Sequence, residues 1–139
     1  MANLRIYTDG GARGNPGLSA SAFVVLLNGK VIYKDARFLG ISTNNEAEYA
    51  GVLMGLEWLS ANKNILNKTS PTFCSDSELV TRQITGVYKV KSQNLLPFTQ
   101  RVKELLKTLG TKVNFISISR EENRLADALL NAKIDEKNG

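Results

Sequence analysis

Two apolar runs joined by Asn28-Gly29 constrain the fold of this chain more than any other feature of its sequence. The runs extend from Ala20 to Leu27 and from Val31 to Phe38. An Asn-Gly pair between two such runs is the strongest short sequence signal for a β-hairpin. Upstream, the residues from Leu4 to Asp9 alternate between two faces in the pattern of a strand. We therefore predict that the chain begins with an antiparallel meander of three strands.

Capping boxes predict where three helices begin. In each box a serine or threonine is followed three residues later by a glutamate; the pairs are Thr43 with Glu46, Ser75 with Glu78, and Ser119 with Glu122. The first helix is predicted to end near Ser60. A further apolar stripe at helical spacing runs from Leu95 to Leu109 and ends at Gly110, with Pro97 tolerated in its first turn.

Short apolar runs between these helices predict two further strands. Thr72 to Cys74 forms the first, and Val113 to Ile118 forms the second. The second run is mostly apolar, which favours a place inside the sheet. The order β-β-β-α-β-α-α-β-α predicts an α/β fold with an antiparallel meander first and helical crossovers afterwards. At 139 residues we predict a single domain over residues 1–139.

The absence of histidine excludes more catalytic mechanisms than any other property of the composition. Without it the chain has no Ser-His-Asp or Cys-His pair and no His-ligated zinc. Cys74 is the only cysteine, so an internal disulfide is excluded as well. Catalysis must therefore depend on carboxylates. A net charge of +5 and a pI near 9.4 suit a polyanionic partner or serve solubility alone.

Asp9 is the candidate for the centre of an active site. It ends the first predicted strand and is followed by Gly10 to Gly17, a stretch with four glycines and one proline. We predict that this stretch leaves the sheet as a turn whose unpaired backbone N–H groups can hold a phosphate. The alternative is an ordinary surface turn that Asp9 terminates, because Asp-Gly is common in hairpins.

Glu48 lies on the same side of the first predicted helix as Gly51 and Gly55. A glycine inside a helix costs about 1 kcal/mol relative to alanine, so two on one line indicate that another backbone approaches there. Glu48 then points toward protein. The alternative is a solvated surface glutamate beside two unrelated glycines.

Two further carboxylates complete the candidate set. Asp76 follows a strand and precedes a helix, where it either serves a site or only caps the helix, and Asp127 lies one turn after Asn123 in the last helix. Asp9, Glu48, Asp76 and Asp127 would repel one another unless cations neutralised them, and oxygen ligands favour Mg²⁺ or Mn²⁺ over zinc. Spacing alone leaves open whether the four converge.

Four blocks of this sequence resemble ribonuclease H type 1. They are Tyr7-Thr8-Asp9-Gly10 with Gly14-Asn15-Pro16-Gly17, Thr43-Asn44-Asn45-Glu46-Ala47-Glu48-Tyr49, Ser75-Asp76-Ser77, and Arg120-Glu121-Glu122-Asn123 with Ala126-Asp127. The blocks occur in the family's order and span nearly the whole chain. The resemblance implies a five-stranded mixed sheet flanked by helices. It also implies endonucleolytic hydrolysis of the RNA strand of RNA–DNA hybrids, with 5′-phosphate and 3′-hydroxyl ends as products.

The resemblance also implies roles for individual residues. Asp9, Glu48, Asp76 and Asp127 match the family's catalytic, metal-binding carboxylates, which hold two Mg²⁺ ions with Mn²⁺ as a substitute. The positions that match the family's substrate contacts are Gly10, Gly11, Ala12, Arg13, Asn15, Thr43, Asn44, Asn45, Glu78 and Asn123. Backbone and amide groups of these segments would contact 2′-hydroxyls across the minor groove of the hybrid.

Three features depart from the family pattern. Many members have a histidine in the loop before the last helix, where this chain has Ile118-Ser119-Arg120. The stretch from Leu79 to Asn94 is too short for the extra basic helix of some bacterial members. Glu78 stands where glutamine is common.

Two alternatives keep the same fold. A hybrid-binding module without catalysis is disfavoured by the presence of all four carboxylates, and an integrase or exonuclease is disfavoured by the blocks at Gly14–Gly17 and Thr43–Asn45. We expect a cytoplasmic monomer that binds RNA–DNA hybrid without a membrane or an obligatory protein partner. No apolar run reaches membrane-spanning length, and the chain enters its first strand directly.

Overall fold

The computed structural model describes residues 2–138, which form a five-stranded mixed sheet with helices on both faces. The strands are β1 (Ala2–Arg13), β2 (Gly17–Leu27), β3 (Lys30–Ser42), β4 (Thr69–Ser75) and β5 (Asn114–Ser117). Their order across the sheet is β3-β2-β1-β4-β5. The first three strands pair antiparallel, and β4 and β5 add parallel to β1. The predicted meander and mixed sheet are confirmed.

Four α-helices connect and cover these strands. They are α1 (Asn44–Ala61), α2 (Glu78–Ile84), α3 (Leu96–Leu109) and α4 (Arg124–Asn138), with short 3₁₀ turns at Lys63–Asn67 and Glu121–Asn123. None of the helices within residues 2–138 combines the length and the apolar character that crossing a membrane requires.

Local signals set the ends of several elements. Asn28 and Gly29 have φ angles of 50° and 82°, which is the backbone that a two-residue hairpin turn of type I′ needs. At the start of α1 both bonds of the predicted capping box form: Glu46 N–H donates to Thr43 Oγ1, and Thr43 N–H donates to Glu46 Oε1. Gly110 ends α3 with a φ of 65°.

The main core lies between one face of the sheet and the helices α1 and α3. Its largest fully buried side chains include Tyr49, Phe73, Leu4, Ile6 and Leu56. A smaller core lies on the other face, where Leu130 and Ile134 of α4 pack on Ala20 and Ala22 of β2. The single cysteine, Cys74, is buried and free.

Helix α1 approaches β1 so closely that some positions have no room for a side chain. A Cβ atom at Gly51 would lie 2.8 Å from the carbonyl oxygen of Asp9. At Gly55 the nearest atoms would belong to the side chains of Phe73 and Ile6 instead. The predicted close approach of another backbone is confirmed at Gly51 and is wrong at Gly55.

The turn predicted over Gly10 to Gly17 is wrong for Gly10 to Arg13 and confirmed for residues 14–16. Strand β1 continues through Gly10 to Arg13, which pair with Ser21 to Leu18 of β2, and the chain turns only between Arg13 and Gly17. Gly10 is a glycine because α1 leaves no space for a side chain: its Cβ would lie 2.2 Å from the carbonyl group of Ala47. Packing against a helix, and not a turn, accounts for this glycine.

Two smaller predictions also need correction. Strand β5 was expected inside the sheet, but it pairs with β4 alone and therefore lies at the edge. It has four residues. Helix α2 is capped by Ser77, whose Oγ accepts from Val80 N–H, while Ser75 Oγ accepts from Ser77 N–H. Glu78 is consequently the first residue of α2 and pairs with Arg82 at 2.7 Å.

Candidate active site

Asp9 and Asp76 emerge together where two parallel strands stop pairing. The ladder between β1 and β4 ends at Thr8 and Ser75, whereas β1 continues along β2. Asp9 is the next residue of β1, and Asp76 directly follows the last residue of β4. The carboxyl ends of neighbouring parallel strands in an α/β sheet commonly carry the functional groups.

The third carboxylate comes from α1. The close contact between α1 and Gly10 brings the second turn of the helix, which carries Glu48, against the end of this ladder. Asp9, Glu48 and Asp76 each place one carboxylate oxygen within 4.8 Å of the other two. Three of the four carboxylates, whose convergence the spacing left open, therefore lie close together.

Asp127 belongs to a second wall of the same cleft, which residues of α4 form. It is exposed on α4 and is not a member of the group of three. The cleft has a volume of about 420 Å³ and is lined by all four carboxylates. The sequence-predicted residues that also line it are Gly10, Gly11, Ala12, Arg13, Asn44 and Asn45.

Burial and mutual repulsion raise the pKa values of the three clustered carboxyl groups. Burial, followed by the negative charge of Asp76, raises the pKa of Asp9 to about 8. Burial, followed by the charge of Asp9, raises the pKa of Glu48 well above its usual range. Burial also raises the pKa of Asp76, although the nearby positive charge of Arg120 opposes that change. Without a cation the cluster therefore retains protons that isolated carboxyl groups would lose.

The donor set fits a hard divalent cation. All three clustered ligands are carboxylate oxygens, the type that Mg²⁺ and Mn²⁺ prefer. Glu48 Oε2 is buried and has no hydrogen-bond partner within residues 2–138. A buried acceptor without a partner is unfavourable for the protein alone, and a cation at this position would satisfy it.

Comparisons with known proteins agree with this arrangement. The family described as reverse transcriptase-like matches residues 7–133. LC11-RNase H1, isolated from compost, is 36% identical, with 100% of both chains covered and a TM-score of 0.94. RNase H1 of the archaeon Halobacterium salinarum is 30% identical, with 96% of this chain and 98% of that chain covered and a TM-score of 0.86.

The chain belongs to the ribonuclease H type 1 family.

Some members of the family to which this chain is similar are longer. The bifunctional protein Rv2228c of Mycobacterium tuberculosis is 35% identical over 132 residues, which are 94% of this chain and 35% of that protein. The chain thus spans about a third of the length of this curated relative. Between α2 and α3, residues 85–95 contain no helix, which agrees with the predicted lack of the family's extra basic helix.

Four of the residues predicted to contact substrate do not line the cleft. Asn15 Oδ1 accepts from Asn44 N–H, Thr43 caps α1, and Glu78 pairs with Arg82. Asn123 is buried, and its amide donates to the carbonyl oxygen of Thr8. Their contact with substrate stays a prediction, whereas their contacts within the protein are structural.

The backbone between β1 and α1 is tied by amide groups. Ala12 N–H donates to Asn44 Oδ1 at 2.8 Å, and Asn44 N–H donates to Asn15 Oδ1 at 3.0 Å. Gly10 N–H donates to Asp9 Oδ1. The N–H groups of Gly10 and Ala12, which were expected to be available for a phosphate, therefore already have partners.

The cleft is also lined by five residues that were not predicted as site residues: Ser77, Arg120, Leu130, Asn131 and Ile134. Arg120 belongs to the loop in which many ribonucleases H carry a histidine, and it is the cation that acts on Asp76. Asn131 lines the cleft one turn after Asp127 and donates to its carboxylate. The i,i+4 spacing from Asp127 was a signal for Asn131. The position of Arg120 next to the capping residue Ser119 did not indicate that its side chain lines the cleft.

Proposed function

We propose that this chain is a metal-dependent endonuclease that hydrolyses the RNA strand of RNA–DNA hybrids and leaves 5′-phosphate and 3′-hydroxyl ends. The observation that carries the proposal is the cluster of Asp9, Glu48 and Asp76 in an open cleft. LC11-RNase H1 has been solved in complex with an RNA/DNA hybrid, and it is 35% identical to this chain with a TM-score of 0.92. That likeness supports the hybrid as the substrate.

The four carboxylates are the groups that would hold two Mg²⁺ ions, with Mn²⁺ as a substitute. Divalent ions in such a site make a water molecule acidic enough to attack the phosphate and compensate the charge that develops on the leaving oxygen. Asp9 would be the ligand that two ions share, because it lies close to Glu48 and Asp76 and is also affected by the charge of Asp127. Asp9, Glu48 and Asp76 would release their retained protons when they hold a divalent cation.

The other residues of the cleft orient the substrate. Gly11 lines the cleft and carries no side chain, so a sugar–phosphate strand can approach the backbone of β1 there. Asn45 lies on the same wall at the start of α1, and we assign its amide to the 2′-hydroxyl groups that distinguish RNA from DNA. Arg120 places a positive charge near Asp76, where the phosphate backbone would pass.

One assay tests the proposal directly. Labelled RNA–DNA hybrid, single-stranded RNA, duplex RNA and duplex DNA are each incubated with the chain in Mg²⁺ and in EDTA, and the product ends are identified. We expect cleavage of the hybrid alone, only with metal, and with 5′-phosphate ends. Cleavage of single-stranded RNA at the same rate would contradict the proposal. Metal-independent binding of hybrid without cleavage would instead indicate a binding module. Sedimentation of the same preparation tests the expected monomer.

A further inference from the structure

We infer that Asn131, held by Arg13, is a positioning residue for Asp127. This inference rests on the proposed function, because it concerns the carboxylate assigned there to cation binding. Asp127 is exposed and stands outside the cluster of three, so the packing that fixes Asp9 and Glu48 does not fix its side chain. Asn131 Nδ2 donates to Asp127 Oδ1 at 3.2 Å and to the carbonyl oxygen of Asp127 at 3.0 Å.

Arg13 determines which way the amide of Asn131 faces. Arg13 Nη2 lies 3.3 Å from Asn131 Oδ1. A guanidinium group can only donate, so the amide oxygen must face Arg13 and the amide nitrogen must face Asp127. The orientation of the amide therefore follows from chemistry, and Asn131 acts on Asp127 as a donor.

Arg13 is itself fixed by α4. Its Nη1 atom contacts Asp135 Oδ1 at 2.6 Å, and Nη2 donates to the carbonyl oxygen of Asn131 at 3.4 Å. Asp127, Asn131 and Asp135 are spaced four residues apart and so share one face of α4. Arg13 is the last residue of β1, the strand that carries Asp9. Through Arg13, these contacts connect β1, which carries Asp9, to α4, which carries Asp127.

The charges of Arg13, Asp127 and Asp135 and the neutral amide of Asn131 are arranged in a way that suits cation binding. The neutral amide of Asn131 restrains one oxygen of Asp127 and leaves the other free, whereas a lysine or arginine there would neutralise the carboxylate and compete with a metal ion. The positive charge of Arg13 is instead directed to Asp135. Asn131 can therefore orient the carboxylate of Asp127 without forming an ion pair with it.

The test measures binding of Mn²⁺ by calorimetry in the absence of nucleic acid. Groups that orient metal ligands typically change metal affinity by tenfold or more, so we expect Asn131→Ala to weaken Mn²⁺ binding about tenfold. The Mg²⁺ concentration for half-maximal hybrid cleavage should rise by a similar factor, while hybrid binding in EDTA stays the same. Unchanged metal affinity in Asn131→Ala and in a second variant, Asn131→Ser, would overturn the inference.

A matched control and a double variant separate positioning from a general effect on the helix. Glu136→Gln breaks the Lys133–Glu136 ion pair on the same helix and should leave Mn²⁺ affinity as it is. In an Asp127→Ala background, Asn131→Ala should cause no further loss of Mn²⁺ affinity, because the group that it positions is gone. An additional loss in that background would show that Asn131 acts elsewhere.

These readouts distinguish the inference from the proposed function. If the native chain binds Mn²⁺ but fails to cleave hybrid, the proposed function is wrong, while the metal titrations still decide the role of Asn131. If it cleaves hybrid and the titrations show no effect of Asn131→Ala, only the positioning role is wrong.

Discussion

The two walls of the cleft hold their carboxylates by different means. On one wall, Asp9 and Glu48 are fixed by backbone packing, because Gly10 and Gly51 let α1 and β1 approach without side chains between them. On the other wall, Asp127 is exposed and held by a side-chain amide. Substitutions that add a side chain at a glycine should therefore disrupt the first wall, whereas substitutions that shorten a polar side chain should disrupt the second.

The largest expected difference concerns the carboxylates themselves. A metal centre contributes several kcal/mol to a transition state, so Asp9→Asn should lower the single-turnover rate on hybrid about a thousandfold or more. Asp127→Asn should cost less, about tenfold to a hundredfold by the same relation, because that ligand is exposed and peripheral. Single-turnover cleavage of both variants on one hybrid measures the ratio.

Hybrid binding in EDTA is the control for these two variants. Above about pH 8, where Asp9 is ionised in EDTA, Asp9→Asn should bind hybrid as well as the native chain or better, because a negative charge near the phosphates is removed. Equal loss of rate in Asp9→Asn and Asp127→Asn would remove the proposed distinction between the walls.

The next prediction compares two neighbouring glycines. A Cβ at Gly10 would lie 2.2 Å from the carbonyl group of Ala47, whereas a Cβ at Gly11 would lie 3.5 Å from Leu130 Cδ1, an ordinary contact. Overpacking of this kind typically costs 1–3 kcal/mol, so Gly10→Ala should lower the free energy of unfolding by about 3 kcal/mol. Gly11→Ala should change it by about 1 kcal/mol or less. Urea denaturation of both variants decides this, and equal stabilities would show that α1 can move away from β1.

What the sequence could predict was mostly local. Asn28-Gly29, the Thr43 capping box and Gly110 each specify the backbone of a few neighbouring residues, and the structure confirms all three. The glycines after Asp9 were misread because the same residue type serves both a turn and a close helix contact. Only the partner strand and α1, both distant in sequence, distinguish the two uses.

The candidate site shows the same limit. Spacing left the convergence of the four carboxylates open, and the resemblance to ribonuclease H supplied the expectation that they meet. The structure brings three of them within 4.8 Å of one another and places Asp127 in the same cleft. Arg120 could not be predicted because its direction depends on the path of the loop between β5 and α4. The apolar composition of β5 also gave no sign that this parallel strand lies at the edge of the sheet.

The third prediction concerns how the stability of the metal-free chain depends on pH through the buried carboxyl group of Asp9. Burial raises the pKa of Asp9 from 3.8 to about 8. The folded chain therefore binds a proton that the unfolded chain releases between these pH values. The stability from this proton is fully present below about pH 4 and is lost as the pH rises to about 8. Each such proton gives a slope of up to about 1.4 kcal/mol per pH unit.

Asp9→Asn tests the origin of this slope. In EDTA the native chain should become less stable from pH 5 to pH 8, and Asp9→Asn should lose part of that dependence and be the more stable protein at pH 8. The slope that persists should come largely from Glu48, whose pKa is also raised. Thermal unfolding across this range measures both proteins, with added Mg²⁺ expected to stabilise the native chain selectively. A native stability that rises toward pH 8 in EDTA would contradict the assignment.

The smallest effect compares the capping boxes at the two walls. Glu46 accepts from Thr43 N–H at 2.9 Å before α1, and Glu122 accepts from Ser119 N–H at 3.2 Å before α4. Replacing either glutamate by alanine removes the same half of a box and should lower the free energy of unfolding by about 0.5–1 kcal/mol. The consequences for the cleft should differ, because backbone packing holds α1 in place while polar side chains hold the start of α4. Glu122→Ala should therefore raise the Mg²⁺ concentration for half-maximal cleavage by about twofold, equivalent to about 0.4 kcal/mol, and Glu46→Ala should leave it unchanged. Metal titrations of the two variants side by side measure this difference, and an equal shift in both would mean that the two walls are held with the same rigidity.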